Sequence, residues 1–264
     1  MDPALPDHPP QQARPVLSAR TLVKRYGHVT ALAGVDVAVA AGESLAVTGT
    51  SGSGKTTLLH CLAGILPVDG GQVVLATAGG AVHVDALGEA GRSRLRREEF
   101  GFVFQSGMLV PELTALENVA LAAMLGGAPR REAEARALPE LERLGLAGLG
   151  GRRIGELSGG QAQRVAIARA LVTGPGVVFA DEPTGALDSR TSDDVLDALL
   201  AATTGTGRAL VVVTHDEQVA ARCDREVHLA DGRVVAERPR GGSGRATGEL
   251  PGGFPVPRWQ QVPS

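Results

Sequence analysis

The strongest chemical signal in the sequence is a glycine-rich run that follows a short apolar stretch. Gly49-Thr-Ser-Gly-Ser-Gly-Lys-Thr56 fits the pattern G-x-x-x-x-G-K-[ST], between a predicted strand at residues 44–48 and a predicted helix at residues 54–65. Glycines let backbone N–H groups turn toward phosphate oxygens, and a helix N-terminus adds partial positive charge. We therefore predict a nucleotide-binding loop in which Lys55 reaches the β- and γ-phosphates and Thr56 ligates Mg²⁺. The predicted contact residues are Gly49, Thr50, Ser51, Gly52, Ser53, Gly54, Lys55, Thr56 and Thr57.

Lysine is rare in this chain. Of the 26 basic residues only two are lysines, Lys24 and Lys55, and arginine supplies the rest. Because lysine and arginine are not interchangeable at a chemically demanding site, each lysine is a stronger functional signal here than in an average sequence. Lys55 lies within the glycine-rich run.

A second apolar stretch ends in two acidic residues. Residues 177–180 form a predicted strand that leads directly into Asp181 and Glu182. A carboxylate at a strand end beside the glycine-rich loop is placed to hold Mg²⁺, usually through water, and its neighbour can polarise an attacking water as general base. We predict these roles for Asp181 and Glu182, respectively. The alternative, that the two acids only open a loop, is weakened by the glycine-rich motif upstream.

Residues 157–171 carry the most specific pattern. Leu157-Ser-Gly-Gly-Gln161 is followed by Arg164-Val-Ala-Ile-Ala-Arg-Ala-Leu171, and this run resembles the signature of ATP-binding-cassette (ABC) ATPases. The resemblance extends over residues 16–238. Ser158 caps a predicted helix whose N–H groups and dipole can bind a γ-phosphate. The resemblance implies a head-to-tail homodimer that encloses two ATP molecules, each contacted by Ser158, Gly159, Gly160 and Gln161 of the second copy.

Four further positions fall where this family places functional residues. Tyr26 resembles the aromatic residue that stacks on adenine, and Gln105 resembles the Q-loop glutamine that joins Mg²⁺ or the attacking water to a moving segment. His215 resembles the switch histidine that hydrogen-bonds the γ-phosphate, and Asp188 resembles the D-loop aspartate that communicates across the dimer. Each of these residues also has a simpler interpretation. Tyr26 could be an ordinary packing residue, Gln105 a surface amide and His215 a core histidine. Asp188 could be a helix N-cap, which is compatible with its functional role. The predicted catalytic residues are Glu182, His215, Lys55 and Gln105, and the predicted metal residues are Thr56, Gln105 and Asp181.

The residues around two of these motifs indicate a subgroup. Gly101-Phe-Val-Phe-Gln105 and Asp181-Glu-Pro-Thr-Gly-Ala-Leu-Asp188 resemble the ATPases of macrolide export, lipoprotein release and cell division. Those ATPases work with separately encoded membrane permeases. The resemblance therefore implies a permease partner, a location at the cytoplasmic side of the membrane, and a role in powering export, lipid or lipoprotein extraction, or mechanotransmission. Two alternatives stay open: a non-transport ABC ATPase that acts on ribosomes, DNA or metal clusters, and an importer ATPase.

Short apolar runs alternate along the chain with segments in which apolar residues recur at helical spacing. This pattern predicts the strands and helices that position the motifs. Near-continuous apolar runs suit parallel strands buried on both faces, whereas residues 16–23 and 35–39 alternate as antiparallel strands do. We predict an α/β fold, namely the P-loop NTPase fold of ABC ATPases: a RecA-like, mostly parallel core sheet, an N-terminal antiparallel β subdomain and an inserted α-helical signature subdomain. The predicted core strands are 44–48, 101–104, 177–180 and 209–213, and the predicted helices are 54–65, 114–125, 130–144, 158–172 and 189–202.

The predicted organisation is one ABC ATPase domain between two tails. The domain comprises residues 16–238 and includes the helical subdomain at residues 106–172. Residues 1–15 are rich in proline and residues 239–264 are rich in glycine and proline, so we predict both to be flexible.

The composition excludes several other classes of protein. The 264 residues are 43% hydrophobic and 21% charged, with a formal net charge of −3, which is typical of a globular chain and not of a disordered polyelectrolyte or a generic nucleic-acid-binding protein. No nucleic-acid partner is therefore expected. No apolar run approaches the ~18 residues that span a bilayer. Cys61 and Cys223 lack metal-ligand spacing, and we expect both to be reduced and buried.

Overall fold

The structure, a computed structural model, describes residues 15–239. The tails predicted at residues 1–15 and 239–264 lie outside this range, apart from Pro15 and Pro239, which form the outer ends of the first and last strands. Strands β1 to β10 are Pro15–Tyr26, Val29–Ala40, Ser44–Gly49, Gly70–Thr77, Gly80–His83, Phe100–Phe104, Val177–Asp181, Ala209–Val213, Arg225–Ala230 and Arg233–Pro239. Helices α1 to α7 are Lys55–Leu62, Glu89–Glu98, Ala115–Leu125, Arg130–Arg143, Gly159–Leu171, Ser189–Ala202 and Glu217–Ala221.

Six strands form the central sheet, in the order β10-β9-β3-β8-β7-β6. All neighbouring pairs from β9 to β6 are parallel, and only β10 runs antiparallel to its neighbour. Strands β3, β7 and β8 are buried along almost their whole length because both faces of the sheet are covered. The predicted parallel α/β core is confirmed. The carboxyl ends of β3, β8 and β7 lie side by side at one edge of this sheet.

The N-terminal strands belong to a separate antiparallel sheet, in the order β2-β1-β4-β5. Strand β1 pairs with both β2 and β4, and its alternate residues Leu17 and Ala19 are buried while their neighbours are more exposed. This pattern is that of a sheet with one covered face, as the alternation of residues 16–23 predicts. The antiparallel β unit of the predicted fold is therefore confirmed.

The central sheet separates two apolar cores. Along β8, Leu210 and Val212 face one core, formed with helices α3 to α6, while Val211 faces the other, formed with α1 and the antiparallel sheet. Successive residues of a strand point to opposite faces, so each strand contributes to both cores. Cys223 lies in the first core and Cys61 in the second, and both are buried and form no disulfide, as expected. Burial raises the pKa of the Cys61 thiol to about 11.

The predicted helices are present, with one correction at α1. The predicted helix 54–65 ends at Leu62, because Gly64 adopts a left-handed conformation with φ 63° and the backbone N–H groups of Ile65 and Leu66 both donate to the carbonyl of His60. Elements β4, β5, α2, α7, β9 and β10 are additional to those predicted from the sequence. None of the helices in residues 15–239 has the length and hydropathy that crossing a bilayer requires.

Candidate nucleotide site

The glycine-rich loop joins the end of β3 to the start of α1, as predicted. Three of its glycines, Gly49, Gly52 and Gly54, have φ values of 143°, 81° and 104°, which L side chains rarely adopt. A Cβ atom on Gly49 would overlap the Leu229 carbonyl oxygen at the end of β9, and one on Gly54 would overlap the Ala31 carbonyl oxygen in β2. The loop backbone is therefore packed against both sheets, and only glycine fits at these two positions.

The side chain of Lys55, the first residue of α1, reaches back into the loop. Its Nζ atom donates hydrogen bonds to the carbonyl oxygens of Gly49 at 2.8 Å and Thr50 at 2.9 Å. The hydroxyl of Ser53 is buried and has no hydrogen-bond partner among the described residues. A concave loop that holds an ammonium group and an orphaned hydroxyl fits an anionic ligand such as a phosphate chain.

Asp181 ends β7, two strands from β3, and the hydroxyl of Thr56 is near enough to its carboxylate to lower its pKa. Burial raises the pKa of Asp181, and this effect is opposed by the positive potential of His60, by the Thr56 hydroxyl and by Lys55. A partly buried carboxylate beside a hydroxyl is a donor set that Mg²⁺ prefers. The two residues predicted from separate motifs to hold the metal are thus brought near each other.

Glu182 is held by three donors at the ends of neighbouring strands. Its Oε1 atom accepts from the His215 backbone N–H at 3.1 Å and contacts His215 Nδ1 at 2.6 Å, and its Oε2 atom accepts from the Thr214 hydroxyl at 3.3 Å. Because a carboxylate only accepts, His215 Nδ1 carries the proton in this contact. Glu182 also has φ 49°, in the left-handed region. Its backbone strain and its three donors together fix the direction of the carboxylate.

His215 is mostly exposed, with 73% of its side chain accessible. The hydrogen bond to the Glu182 carboxylate, together with its negative charge, raises the pKa of the imidazole. The ring is not a core histidine, so this alternative is wrong. Because Nδ1 is directed to Glu182, Nε2 is the ring nitrogen left for a further partner.

Gln105 directly follows β6, and its side-chain amide lies against Gly185, at 3.0 Å from the position that a Cβ on Gly185 would take. It therefore contacts the segment that follows Glu182. The predicted Q-loop glutamine and the acidic strand end are next to each other, as a role at this site requires.

Gln163, a buried glutamine in α5, was missed by sequence reasoning. Its Nε2 atom donates to the carbonyl oxygens of Phe104 at 3.1 Å and Pro183 at 2.7 Å, and so joins the end of β6 to the loop after β7. The available signal was a polar residue on a helix face that is otherwise apolar, since Gly160, Ile167 and Leu171 on the same face are small or hydrophobic.

Two more polar residues, the buried Asn118 and the partly buried Arg169, were also missed, and they hold the segment that follows Gln105. The Asn118 side chain accepts from the Val110 N–H and donates to carbonyl oxygens of residues 110, 113 and 114. The Arg169 guanidinium donates to the carbonyl oxygens of Gly107 and Met108 at 2.6 Å each, and burial lowers the pKa of Arg169. As a result the segment presents Met108, 62% exposed, on the protein surface.

The signature residues form a regular helix N-terminus. The Ser158 hydroxyl accepts from the Gln161 N–H at 3.2 Å, and the Ser158 N–H donates to Gln161 Oε1 at 3.0 Å, which together make a capping box. Gly160 packs against Thr191 of α6 so closely that a Cβ would overlap the threonine methyl group. Within residues 15–239, no hydrogen bond or ion pair connects residues 158–161 with the glycine-rich loop.

Tyr26 and Asp188 lie at the edges of this arrangement. Tyr26 ends β1 with 49% of its surface exposed, so it is not an ordinary core residue. Asp188 is the N-cap of α6: its carboxylate accepts from the Thr191 N–H at 3.1 Å and from the Thr191 hydroxyl at 2.7 Å, and these bonds lower its pKa. The N-cap geometry considered for Asp188 is therefore present.

Comparison with known proteins gives consistent matches. A family model described as ABC transporter matches residues 32–185, more than half of the chain. The lipoprotein-releasing system ATP-binding protein LolD of Pseudomonas fluorescens is 46% identical over 84% of this chain and 97% of its own length. The macrolide export ATP-binding/permease protein MacB 1/2 of Paracoccus denitrificans is 45% identical over 86% of this chain, but the chain spans only 34% of that protein.

The similar solved structures are also ATP-binding cassettes. The dimeric ATP-binding cassette MJ0796, in a post-hydrolysis state bound to ADP and Pi, is 35% identical and matches with a TM-score of 0.75 over 86% of this chain and 99% of its own. The ATP-binding cassette MJ1267 in its ADP conformation is 26% identical, with the same TM-score and coverage of 86% and 92%.

Proposed function

The chain belongs to the ABC transporter family, and from this premise we propose that it binds and hydrolyses ATP to power a membrane permease. One observation carries the proposal: at the carboxyl ends of β3, β7 and β8, His215 contacts Glu182 at 2.6 Å while Thr56 and Lys55 both act on the Asp181 carboxylate. The phosphate loop, a metal-binding pair and a base with its neighbouring histidine therefore meet at one edge of the sheet, which is where ligands bind in open α/β sheets.

We assign the binding roles as follows. The backbone N–H groups of residues 49–57 cradle the phosphates and Lys55 reaches the β- and γ-phosphates, while Tyr26 stacks on the adenine. Thr56, Asp181 and Gln105 would hold Mg²⁺, which neutralises charge on the phosphate oxygens when it is bound. The raised pKa of Asp181 and the nearness of Thr56 support this set, because a carboxylate that is partly withdrawn from water gains most from a nearby cation.

For hydrolysis, Glu182 is the general base and His215 the switch residue. Glu182 Oε1 is engaged by His215, and opening of this contact frees an oxygen that can accept a proton from the attacking water. His215 can then direct a ring N–H to the γ-phosphate. Gln105, which lies against the loop after Glu182, links this step to the segment at residues 105–114.

The signature helix completes the site from a second copy. Ser158, Gly159, Gly160 and Gln161 start α5, and the helix N-terminus supplies N–H groups and a positive dipole for a γ-phosphate. Because these residues do not contact the phosphate loop of their own chain within the described range, we propose a head-to-tail homodimer with two ATP molecules between the copies. The dimeric state of MJ0796 supports this arrangement.

The permease would dock on the segment held by Asn118 and Arg169. This segment follows Gln105, exposes Met108 and belongs to the helical subdomain that we place at residues 106–172 within a domain of residues 16–238. Docking there would place the chain at the cytoplasmic side of the membrane, peripheral through the permease. Closure of the dimer around ATP would then move the permease through this contact.

The relatives favour export or extraction over the two alternatives. The names of these two relatives specify lipoprotein release and macrolide export, and neither name refers to ribosomes, DNA or metal clusters. In LolD the ATP-binding protein is named by itself, whereas MacB is named as an ATP-binding/permease protein. We propose the LolD-like arrangement, with a permease on a separate chain, as the resemblance to this subgroup implies.

Phosphate release from Mg-ATP tests this function. The purified chain is expected to hydrolyse ATP, whereas Glu182→Gln, which keeps the shape of the side chain but cannot take up a proton, is expected to lose at least about 100-fold in rate while it still binds ATP. A Glu182→Gln variant with the wild-type rate would overturn the assignment of the base. A wild-type chain that binds no Mg-ATP would overturn the proposed function as a whole.

A further inference from the structure

The second lysine of the chain, Lys24, has no part in the function proposed above. Its side chain is only 9% exposed, so its ammonium group is largely withdrawn from water. A charge in such a position is unfavourable unless other groups compensate it. In this structure two groups do so: the Asp69 carboxylate, with Oδ1 at 3.3 Å from Nζ, and the ring of Tyr26, whose centroid lies 5.7 Å from Nζ.

Asp69 fixes the ammonium in place. Its Oδ2 atom accepts from the Arg25 backbone N–H at 2.6 Å, and its own N–H donates to the Val23 carbonyl at 2.9 Å. These bonds tie the carboxylate to the same strand that carries Lys24 and Tyr26. The Arg25 hydrogen bond, and after it the bond from Lys24, lower the pKa of Asp69, so the carboxylate stays charged.

Lys24 and Tyr26 are two residues apart in β1, so their side chains lie on the same face of the strand. A cation over an aromatic ring within about 6 Å of its centroid is attracted by the electron density of that ring face. The Lys24 ammonium thus lies over one face of the Tyr26 ring, while about half of the residue stays exposed.

Resting on the proposed stacking of adenine on Tyr26, we propose that Lys24 is a positioning residue of the adenine site. Its ammonium, tethered by Asp69, supports one face of the Tyr26 ring and so presents the other face to the base. The contribution of Lys24 is to affinity for the base and not for the phosphates. This would explain why one of only two lysines lies under the only tyrosine of the chain.

A purely structural role would have a different signature. The charge of Lys24 acts on Cys61, in the helix that starts at Lys55, and lowers the pKa of its thiol against the larger effect of burial. If Lys24 only supported the packing of α1, its loss would disturb the phosphate loop. Binding of the phosphate chain would then weaken together with binding of ATP.

The test compares two ligands on the full chain by calorimetry, Mg-ATP and Mg-tripolyphosphate. Lys24→Met keeps the length of the side chain and removes its charge. It is expected to raise the Kd of Mg-ATP about tenfold, within the range of a buried cation–π contact, and to leave the Kd of tripolyphosphate unchanged. Arg25→Met, which removes an exposed charge from the next residue, is the matched control and is expected to change neither value.

A variant of the tyrosine completes the experiment. In a Tyr26→Leu background, Lys24→Met is expected to cause no further loss of ATP affinity, because the ring that Lys24 supports is absent. If Lys24→Met does not fold, Lys24→Gln, which keeps a polar head, is measured in the same way and with the same expectation.

Three results would overturn the inference: an unchanged Kd for ATP, an equal loss for ATP and tripolyphosphate, or full additivity with Tyr26→Leu. All three presuppose a wild-type chain that binds ATP. A wild-type chain that binds neither ligand would instead overturn the proposed function, and the role of Lys24 with it.

Discussion

At the carboxyl ends of β3, β7 and β8 the functional side chains bond to one another, whereas at the start of α5 they bond only within their own helix. The first region contains the contacts of Glu182 with His215 and Thr214 and the Lys55 ammonium held by loop carbonyls. In the second region, Ser158 and Gln161 form a capping box and no described residue faces them as a partner for the helix N-terminus.

This difference indicates that the first region binds the nucleotide, whereas the second region completes the site of another copy. The first region has its anion cradle, metal pair and base arranged within one chain, so one copy is expected to bind nucleotide alone. The second region has only a helix N-terminus and small residues, which can bind a phosphate that another molecule brings. Changes in the first region should therefore affect single-copy binding, and changes in the second should affect only dimer formation and hydrolysis.

The largest effect is expected from Lys55→Ala. Removal of the ammonium takes the only lysine out of the loop and should raise the Kd of Mg-ATP at least about 100-fold, or roughly 2.7 kcal/mol, as for a lost charge-assisted hydrogen bond to phosphate. Isothermal titration calorimetry measures this. Lys55→Arg keeps the charge, but a guanidinium is larger than the ammonium that the Gly49 and Thr50 carbonyls hold at 2.8 and 2.9 Å, so we expect this variant to lose binding as well. Wild-type binding by Lys55→Arg would contradict the predicted fit.

A substitution at Ser158 sharpens the comparison from the other side. Ser158→Asp keeps the N-cap, since aspartate caps as well as serine, but places a negative charge where the γ-phosphate of the other copy should lie. We expect the ATPase rate to fall at least about tenfold while single-copy binding of Mg-ATP stays unchanged. Ser158→Asn, a cap without the charge, is the matched control and should retain most of the activity. Equal rates for the aspartate and asparagine variants would argue against a phosphate at this position.

Gln163 joins the two strand ends, and its loss should lower stability. Gln163→Leu is close in volume but leaves the Phe104 and Pro183 carbonyl oxygens without their donor, which should lower the free energy of unfolding by about 2 kcal/mol. Urea denaturation followed by circular dichroism measures this change. Gln218→Leu, at an exposed position of α7, should change the same quantity by less than about 0.5 kcal/mol. A Gln163→Leu chain as stable as this control would show that the two hydrogen bonds contribute nothing.

The smallest effect concerns the titration of His215. Glu182 raises the pKa of the imidazole, so their contact stabilises the fold fully below the ordinary histidine pKa and loses that contribution as the pH rises through the higher folded value. An NMR titration of the His215 ring should give a pKa above the ordinary value in the wild type. In Glu182→Gln the pKa should return toward the ordinary value; the same pKa in both proteins would mean that the contact is absent in solution.

The sequence predicted those parts of the site that are local motifs. The loop from Gly49 to Thr56 and the cap at Ser158 depend on residue types within a few positions, and the structure shows the expected turn and capping box. By contrast, Gln163 and Arg169 bond backbone carbonyls 59 and 62 residues away, at Phe104 and Gly107. A backbone carbonyl has no residue-type signature, so no pattern in the sequence indicates these partners.

The same reasoning holds for the fold. Buried parallel strands such as β7 and β8 appear as continuous apolar runs and were predicted, whereas β5 and β10, at the edges of their sheets, are largely exposed and lack such runs. The early end of α1 depends on the left-handed Gly64, which a helical periodicity cannot show. The contact of His215 with Glu182 could not be predicted because it depends on β8 and β7 being neighbours in the sheet, and only the sheet topology shows this order.

The mass of the Glu182→Gln variant in solution, measured by light scattering after size exclusion at saturating Mg-ATP, tests the central claim most directly. This variant should bind ATP without hydrolysing it, so the account predicts a species of twice the chain mass that returns to one chain mass when nucleotide is removed or when Ser158→Asp is added. A nucleotide-loaded Glu182→Gln chain that stays at one chain mass would contradict the claim that two copies enclose ATP between the phosphate loop and the start of α5.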